Sequence, residues 1–344
     1  MMRRTFAVVF LLCLTIPAIA ANLDATAVND AARPAKQPAS DKMNASIVKL
    51  QILLDRAQFS PGEIDGKLGV SAQKALAAFA ETNALAFDKV ISSDLWDKLA
   101  AASDGPAIVD YRIAEADVKG PFLKRLPAKM ESMKNLKALA YTSPREALAE
   151  KFHMSEALLA VLNPGKRFDR PGETIAVANV LMPRNPVPIG RVEVDKARQT
   201  LKTFDATGKL LSFYPATVGS SEKPTPSGTL KVTAVHENPT YRYNPEYRFK
   251  GVHSRRPFTI KPGPNNPVGS YWINLSAEGY GIHGSADPGK IGKSESHGCV
   301  RLTNWDAHTV GENIKRGTPV VFIDAASEAP SGTPQQSAEK SPPN

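Results

Sequence analysis

Arg191-Val192-Glu193-Val194 alternates charged and apolar residues, and it begins the stretch of the chain that decides the fold. Thr200 to Phe204 alternates in the same way, and Ala206-Thr207-Gly208 has the composition of a hairpin turn. Further strands are predicted at 211–218, 228–235, 271–275, 280–283 and 319–323. Short strands separated by glycine and proline turns are typical of a sandwich or barrel, so residues 190–324 are predicted to form a mainly β domain. A single helix, predicted over 304–314 with Thr303 or Asn304 as its N-cap, interrupts this pattern.

Upstream of the β domain, apolar residues recur at helical spacing. Leu50, Leu53 and Leu54 lie in the first of three predicted short helices within residues 44–102. The turn Ile64-Asp65-Gly66 separates the first helix from the second. The sequence therefore predicts a small helical domain, which at roughly sixty residues is large enough to fold.

Residues 140–182 form a second upstream unit with a different pattern. Tyr141 is predicted to open a strand, residues 148–162 to supply two short helices, and Thr174-Ile175-Ala176-Val177 to form a closing strand. The predicted order is strand, helix, helix, strand. Taken together, the predicted elements describe a multidomain α+β protein.

The two ends of the chain have compositions unlike those of a folded domain. Arg3 and Arg4 precede an apolar run and the small residues Ala18-Ile19-Ala20, which is typical of a signal peptide over residues 1–20. That run is well short of the ~20 residues of a membrane span, and no second long apolar segment follows, so no integral membrane span is predicted. Residues 21–43 are predicted to be a flexible linker and residues 325–344 a disordered tail.

The formal charge of +9 at pH 7 favours an anionic partner surface, such as a wall polymer or lipid headgroups. Nucleic acid is a poor candidate, because export takes the protein away from it and no basic helix or stripe stands out.

The chain has two cysteines, and cleavage after Ala20 would remove Cys13 and leave Cys299 alone. A single thiol in an exported protein is either half of an intermolecular disulfide or a reactive group. The surrounding run Ser296-His297-Gly298-Cys299-Val300-Arg301 favours the reactive group. His283 ends the preceding predicted strand, and the loop at 287–292 has enough glycine and proline to fold back. The imidazole and the thiol are therefore predicted to approach each other.

This pairing has a chemical purpose, because an imidazole within hydrogen-bond reach converts a thiol to the nucleophilic thiolate. Gly298 leaves room for backbone N–H groups of the turn to bind the oxyanion of an attacked carbonyl. Arg301 lies two residues after Cys299, so on a strand it faces the same side and can pair with a substrate carboxylate. His297 is assigned to the site, where it could line the cavity, tune the thiolate or hold the turn.

A thiol and an imidazole supply nucleophile, base and acid between them, so no cofactor is predicted. A metal site formed by His283, His297 and Cys299 would lack a fourth ligand, and no metal is predicted either.

These motifs resemble the signature of the L,D-transpeptidase (YkuD) family. The resemblance rests on Ile282-His283-Gly284, on Ser296 to Arg301 and on the upstream run Gly263 to Gly269, which is similar to Gram-negative members. It implies that Cys299 attacks the carbonyl at the L-centre of diaminopimelate in a tetrapeptide stem, that D-alanine leaves, and that the thioester passes to an amine. It also implies a periplasmic enzyme in which His283 is base and acid. Gly298, Gly284, Ser296 and His297 would then bind the oxyanion or orient the site, with the Gly284 carbonyl holding the imidazole.

The upstream units resemble modules that bind the cell wall. Residues 44–102 resemble the helical peptidoglycan-binding domain, on Leu50-Gln51, Ile64-Asp65-Gly66 and Leu68-Gly69. Residues 140–182 resemble a degenerate LysM module, although Ser143 to Leu148 stands where the usual Gly-Asp-Thr-Leu would be. The implied partner is peptidoglycan. The alternative for residues 44–102 is a generic helical module, and the alternative for residues 140–182 is a structural spacer that binds no ligand.

The sequence is compatible with three functions. The first is an enzyme that forms 3–3 cross-links to a diaminopimelate amine or attaches a lipoprotein through its lysine. The second is an L,D-carboxypeptidase, in which water accepts the same acyl group. The third is a wall-binding protein with an inert β domain. An enzyme is predicted, because a binding module needs neither the cysteine nor the histidine motif.

Overall fold

The computed structural model describes residues 23–181, 186–247 and 252–324. The predicted signal peptide and the predicted tail at 325–344 lie outside these ranges. Within them, no helix is both long enough and apolar enough to cross a membrane.

The N-terminal region, residues 23–181, contains eight helices and two strands among its described residues. The helices are α1 (Ala25–Asn29), α2 (Ala45–Arg56), α3 (Val70–Thr82), α4 (Ser93–Ala101), α5 (Glu115–Val118), α6 (Met130–Met133), α7 (Pro144–Lys151) and α8 (Glu156–Leu162). The strands are β1 (Ile108–Arg112) and β2 (Thr174–Ala178).

Local sequence signals account for the three helices predicted within 44–102, which are α2, α3 and α4. The Asn44 side chain accepts hydrogen bonds from the first free N–H groups of α2, and Ser92 caps α4 in the same way. The turn between α2 and α3 is held by Gln51, whose Oε1 accepts the N–H of Gly66 at 2.7 Å. Gly66 has φ +72°, a conformation that favours glycine.

The unit predicted over 140–182 differs from expectation at its first strand. Tyr141 lies outside any strand, and β2 pairs antiparallel with β1, far upstream, in the register Ile108 to Ala178. The order strand, helix, helix, strand is therefore made from β1, α7, α8 and β2, with residues 113–143 inserted before α7. Because β1 and β2 are so far apart along the chain, no local sequence pattern could show that β1, and not a strand at Tyr141, pairs with β2.

Part of the linker predicted over 21–43 is instead packed as helix α1. Val28 is fully buried, and Lys49 Nζ donates to the carbonyl of Asn29 at 2.7 Å. Val28 shares one hydrophobic core with Ile52 of α2 and Phe152 of the second unit. Helix α1 is too short to show a repeating apolar pattern, so the sequence did not predict that it packs against the core.

The β domain is built on one eight-stranded curled sheet. Its strands are β3 (Arg191–Asp195), β4 (Thr200–Phe204), β5 (Leu210–Pro215), β6 (Gly228–Glu237), β9 (Tyr271–Leu275), β10 (Gly281–His283), β11 (Val300–Arg301) and β12 (Pro319–Ile323). Their order is β11-β10-β9-β6-β12-β3-β4-β5, parallel at β10–β11 and β12–β3 and antiparallel elsewhere. The prediction of a mainly β domain is confirmed, and eight of its strands join in one curled sheet.

Two further elements complete the β domain. Strands β7 (Tyr241–Tyr243) and β8 (Phe258–Ile260) form a separate antiparallel ribbon. Helix α9 (Asn304–Asn313) begins where predicted, since the Thr303 hydroxyl accepts the N–H of Asp306. Its buried residues Ala307 and Val310 pack in the same core as the sheet.

The N-terminal region packs directly on the β domain. Phe59 stacks on Phe213 with ring centroids 6.5 Å apart, and Ser60 Oγ donates to Asp306 Oδ2 at 2.9 Å. His153 stacks on Trp305 at 5.0 Å. The two parts therefore meet through both apolar and polar contacts.

Asp306 makes this interface sensitive to pH. Its side chain is buried, and burial, with a smaller effect of Asp55, raises its pKa to about 7. An unfolded aspartate has a pKa of about 3.9, so the folded state binds more protons between these values and the free energy of unfolding falls as pH rises through about 4 to 7.

Asp306→Asn is expected to remove that contribution, because the amide does not ionise. The free energy of unfolding of the variant, relative to that of wild type, should rise by on the order of 2–4 kcal/mol between pH 4 and pH 7. Denaturant unfolding of both proteins across this range measures the difference. Two curves that stay parallel would show that Asp306 titrates normally.

Candidate functional site

Strand pairing brings the predicted histidine and cysteine to one place. β10 and β11 are parallel neighbours in the register Ile282 to Val300, so His283 ends β10 and Cys299 immediately precedes β11. Both residues line a cavity of about 690 Å³, together with Arg301 and His297. Four of the sequence-predicted site residues therefore face one space.

His283 is held in one orientation. Its side chain is buried, and Nδ1 lies 2.6 Å from the carbonyl oxygen of Gly284, to which the Nδ1–H donates. This is the contact that the family resemblance implied. The ring also stacks on Trp272, with centroids 5.3 Å apart. In the neutral ring this tautomer leaves Nε2 as the acceptor.

Burial keeps the His283 ring neutral. Burial, followed by the positive charge of Arg301, lowers the pKa of His283 to about 3, although the hydrogen bond to Gly284 acts in the opposite direction. The imidazole is thus unprotonated at neutral pH and available as a base.

The Cys299 thiol differs from the expected thiolate. It is half-buried and points at the carbonyl oxygen of Gly279, 3.6 Å from Sγ. Burial raises its pKa above the ordinary value, while the N–H of Gly281 and the charge of Arg301 act in the opposite direction. The free protein therefore favours a neutral thiol beside a neutral imidazole, because both groups are desolvated.

The turn before Cys299 is held by Ser296. Its hydroxyl accepts the N–H of Gly298 at 3.1 Å and donates to the carbonyl of Cys299 at 2.5 Å. Gly298 has φ +105°, and a Cβ there would lie 2.7 Å from the Tyr280 ring. Ser296 therefore holds the turn, and in this conformation the Gly298 N–H is engaged with the Ser296 hydroxyl.

Thr225 supports the same turn and was missed in the sequence. Its hydroxyl donates to the carbonyl of Gly298 at 2.9 Å and accepts the N–H of Gly219 at 2.8 Å. The threonine is distant from the motif along the chain, so only the fold reveals its role.

Arg301 brings a positive charge to the cavity. Its Nε is buried and has no hydrogen-bond partner within residues 23–181, 186–247 and 252–324. Burial lowers its pKa, against the influence of Cys299 and Tyr241. The His297 side chain is more exposed, but partial desolvation at the cavity, followed by the charges of Arg301 and Lys223, lowers its pKa. A cationic, partly desolvated group facing a cavity is suited to a carboxylate.

The N-terminal region also reaches this site, which the sequence did not indicate. Met130 of α6 lines the cavity. Glu131 accepts the N–H of His253 at 2.6 Å, so the insertion at 113–143 contacts the segment between β7 and β8. No metal-binding group of His, Cys, Asp or Glu occurs among the described residues.

Comparison with known proteins agrees with this geometry. A family model for the L,D-transpeptidase catalytic domain, YkuD, matches residues 189–322. The chain is 29% identical to a Bacillus licheniformis protein named as the L,D-transpeptidase YkuD. The match extends over 178 residues, which are 51% of this chain and 90% of that protein. It is 31% identical to YbiS of Escherichia coli over 190 residues, 53% of this chain and 61% of that protein.

A third relative, YqjB of Bacillus subtilis, is 30% identical over 146 residues, which cover 41% of this chain and 75% of that protein. With the sheet, the cavity and these matches in agreement, the chain belongs to the L,D-transpeptidase (YkuD) family of enzymes.

Proposed function

We propose that this enzyme is a periplasmic cysteine L,D-transpeptidase that acts on the tetrapeptide stems of peptidoglycan. The observation that carries the proposal is a single cavity lined by the Cys299 thiol, the neutral imidazole of His283 and the Arg301 guanidinium. Together these groups supply a nucleophile, a base and a site for the substrate carboxylate.

In the first half-reaction, Cys299 Sγ attacks the carbonyl at the L-centre of diaminopimelate. Because both the thiol and the imidazole are neutral in the free enzyme, His283 Nε2 takes the thiol proton as the S–C bond forms. The same proton then passes to the leaving nitrogen when the C–N bond breaks and D-alanine departs. The product is a thioester on Cys299.

In the second half-reaction, an acceptor amine attacks the thioester and gives its proton to His283, while sulfur leaves and regains a proton. A diaminopimelate amine yields a 3–3 cross-link, a lipoprotein lysine yields an attached lipoprotein, and water yields a tripeptide. Since the Gly298 N–H is engaged with Ser296, we assign the oxyanion to the N–H of Cys299.

The N-terminal region supports a role at the wall. We propose residues 44–102 as a peptidoglycan-binding domain and residues 140–182, with strand β1, as a LysM-like unit. The signal peptide proposed for residues 1–20 would deliver the enzyme to the periplasm.

Purified enzyme incubated with tetrapeptide muropeptides and a lipoprotein-derived lysine peptide tests the proposal by product mass. A cross-linked dimer or a peptide adduct is the expected result and identifies the acceptor. Tripeptide alone would replace the proposal with a carboxypeptidase. No product from folded protein that binds sacculi would favour a non-catalytic wall-binding protein.

Arg301→Lys tests the carboxylate contact. Lysine keeps the charge but cannot form the bidentate pair, so we expect kcat/KM for the tetrapeptide to fall about tenfold or more. For a matched donor whose stem carboxylate is amidated, the same substitution should lower kcat/KM far less. Equal losses for both donors would place Arg301 outside substrate recognition.

A further inference from the structure

Helix α7 of the N-terminal region places two carboxylates against the rear of the catalytic site. Glu146 Oε1 accepts the side-chain N–H of Asn265 at 2.8 Å. One helical turn later, Glu150 Oε1 accepts the side-chain N–H of Asn304 at 2.5 Å. Asn265 lies in the loop before β9, and Asn304 is the first residue of α9. Neither carboxylate is used in the acyl-transfer steps above.

Glu150 is a desolvated acid with specific partners. Burial raises its pKa to about 7, whereas its hydrogen bonds to Asn304 and to the Tyr141 hydroxyl stabilise the ionised form. Glu146 on the same helix is a further acid near it, and Glu63, Glu156 and Asp287 line the same adjoining cavity of about 330 Å³, where Arg145 pairs with Glu156. A carboxylate kept among other carboxylates is costly unless its hydrogen bonds are retained.

Asn304 transmits this contact to the backbone beside His283. Its Oδ1 accepts the N–H of Ser270 at 3.0 Å, and its Nδ2 also donates to the carbonyl of Pro264 at 3.1 Å. Oδ1 lies so close to Gly284 that a Cβ on that glycine would be 2.2 Å away. The Asn304 amide therefore fixes where Gly284 can lie.

Gly284 in turn fixes the imidazole, because its carbonyl accepts the Nδ1–H of His283 at 2.6 Å. A continuous series of contacts thus runs from Glu150 through Asn304 and Gly284 to His283. We infer that Glu150 is a positioning residue for His283, supplied by the N-terminal region and acting through Asn304. The catalytic consequence rests on the function proposed above, whereas the effect on the orientation of the ring does not.

The test compares Glu150→Ala and Glu150→Gln with a matched control, Glu156→Ala. Glutamine keeps an oxygen that accepts the Asn304 N–H, whereas alanine removes it. Glu156 borders the same acidic cavity, but its carboxylate pairs with Arg145 at 2.8 Å and is partly exposed. The first readout is the NMR signal of the His283 Nδ1–H in protein labelled with ¹⁵N-histidine, which needs no turnover.

We expect Glu150→Ala to shift or broaden the His283 Nδ1–H signal, and Glu150→Gln and Glu156→Ala to leave it close to wild type. In the transpeptidase assay, Glu150→Ala should lower kcat about tenfold to a hundredfold, the range caused by small misplacements of a catalytic group. KM should change less than about twofold, because substrate contacts are retained.

Folding and function are separated by two further comparisons. The double variant Glu150→Ala/Asn304→Ala should lose no more activity than Asn304→Ala alone, since the two residues act in series. A Glu150→Ala protein that is folded by circular dichroism and keeps both the wild-type imidazole signal and kcat would overturn the inference. If the signal moves but wild type has no transpeptidase activity, the proposed function fails and the positioning role stands.

Discussion

Replacing Cys299 with alanine is expected to abolish both acyl-enzyme and product. The thiol is the nucleophile in the proposed reaction, and Cys299 is the only cysteine among the described residues. Loss of an enzyme nucleophile reduces kcat on the order of 10⁵- to 10⁶-fold, so no product should be detected above background. Intact-protein mass spectrometry after mixing with tetrapeptide donor measures the acyl-enzyme, and muropeptide analysis measures the product.

Cys299→Ser separates nucleophilic attack from packing. The hydroxyl can replace the thiol hydrogen bond to Gly279, which lies at 3.6 Å in the native protein, but it is a far weaker nucleophile. We therefore expect the serine variant to have the same Tm as wild type and to be inactive. Product formation by Cys299→Ala would mean that another group attacks the carbonyl.

Replacing His283 with glutamine is expected to give the second-largest loss. Glutamine can still donate to the Gly284 carbonyl, but it cannot accept and return the thiol proton. General acid–base catalysis contributes about 10²- to 10⁴-fold, and because the Cys299 pKa is raised, little thiolate exists to compensate. Single-turnover acylation measured at neutral pH should slow by this factor.

His308→Gln is the matched control for this substitution. His308 lies on α9, contacts Tyr271 and Glu312, and does not line the catalytic cavity. We expect its acylation rate to equal that of wild type. If His283→Gln slows acylation no more than His308→Gln does, the base must be sought elsewhere in the cavity.

Local sequence signals predicted much of the fold. The N-cap predicted at Thr303 marks the start of α9 because a side-chain oxygen must satisfy N–H groups that have no partner within the helix. The alternation at 191–194 predicts a strand because one face of the sheet is buried. Such signals do not specify strand order, which is why the single curled sheet and the pairing of β1 with β2 could not be predicted.

Local sequence likewise predicted only some features of the candidate site. The proximity of Cys299 and His283 could be predicted because a thiol, an imidazole and a glycine turn occur within a short stretch of sequence. Glu150 could not, since Pro144 to Lys151 has the composition of a solvated helix and its partner Asn304 is distant in sequence. The use of the Gly298 N–H by Ser296 also depends on atomic geometry that residue types do not specify.

The position of β12 has a consequence for how the β domain folds. β3, β4 and β5 are consecutive neighbours at one end of the sheet, and β6, β9, β10 and β11 are neighbours at the other. β12, the last strand along the described chain, lies between these two groups and pairs with β3 on one side and with β6 on the other. Each group can form as the chain emerges, but each then has an unpaired edge exposed to other chains. Pairing of the β3 and β6 edges, and their protection from aggregation, therefore waits for the five residues Pro319–Ile323.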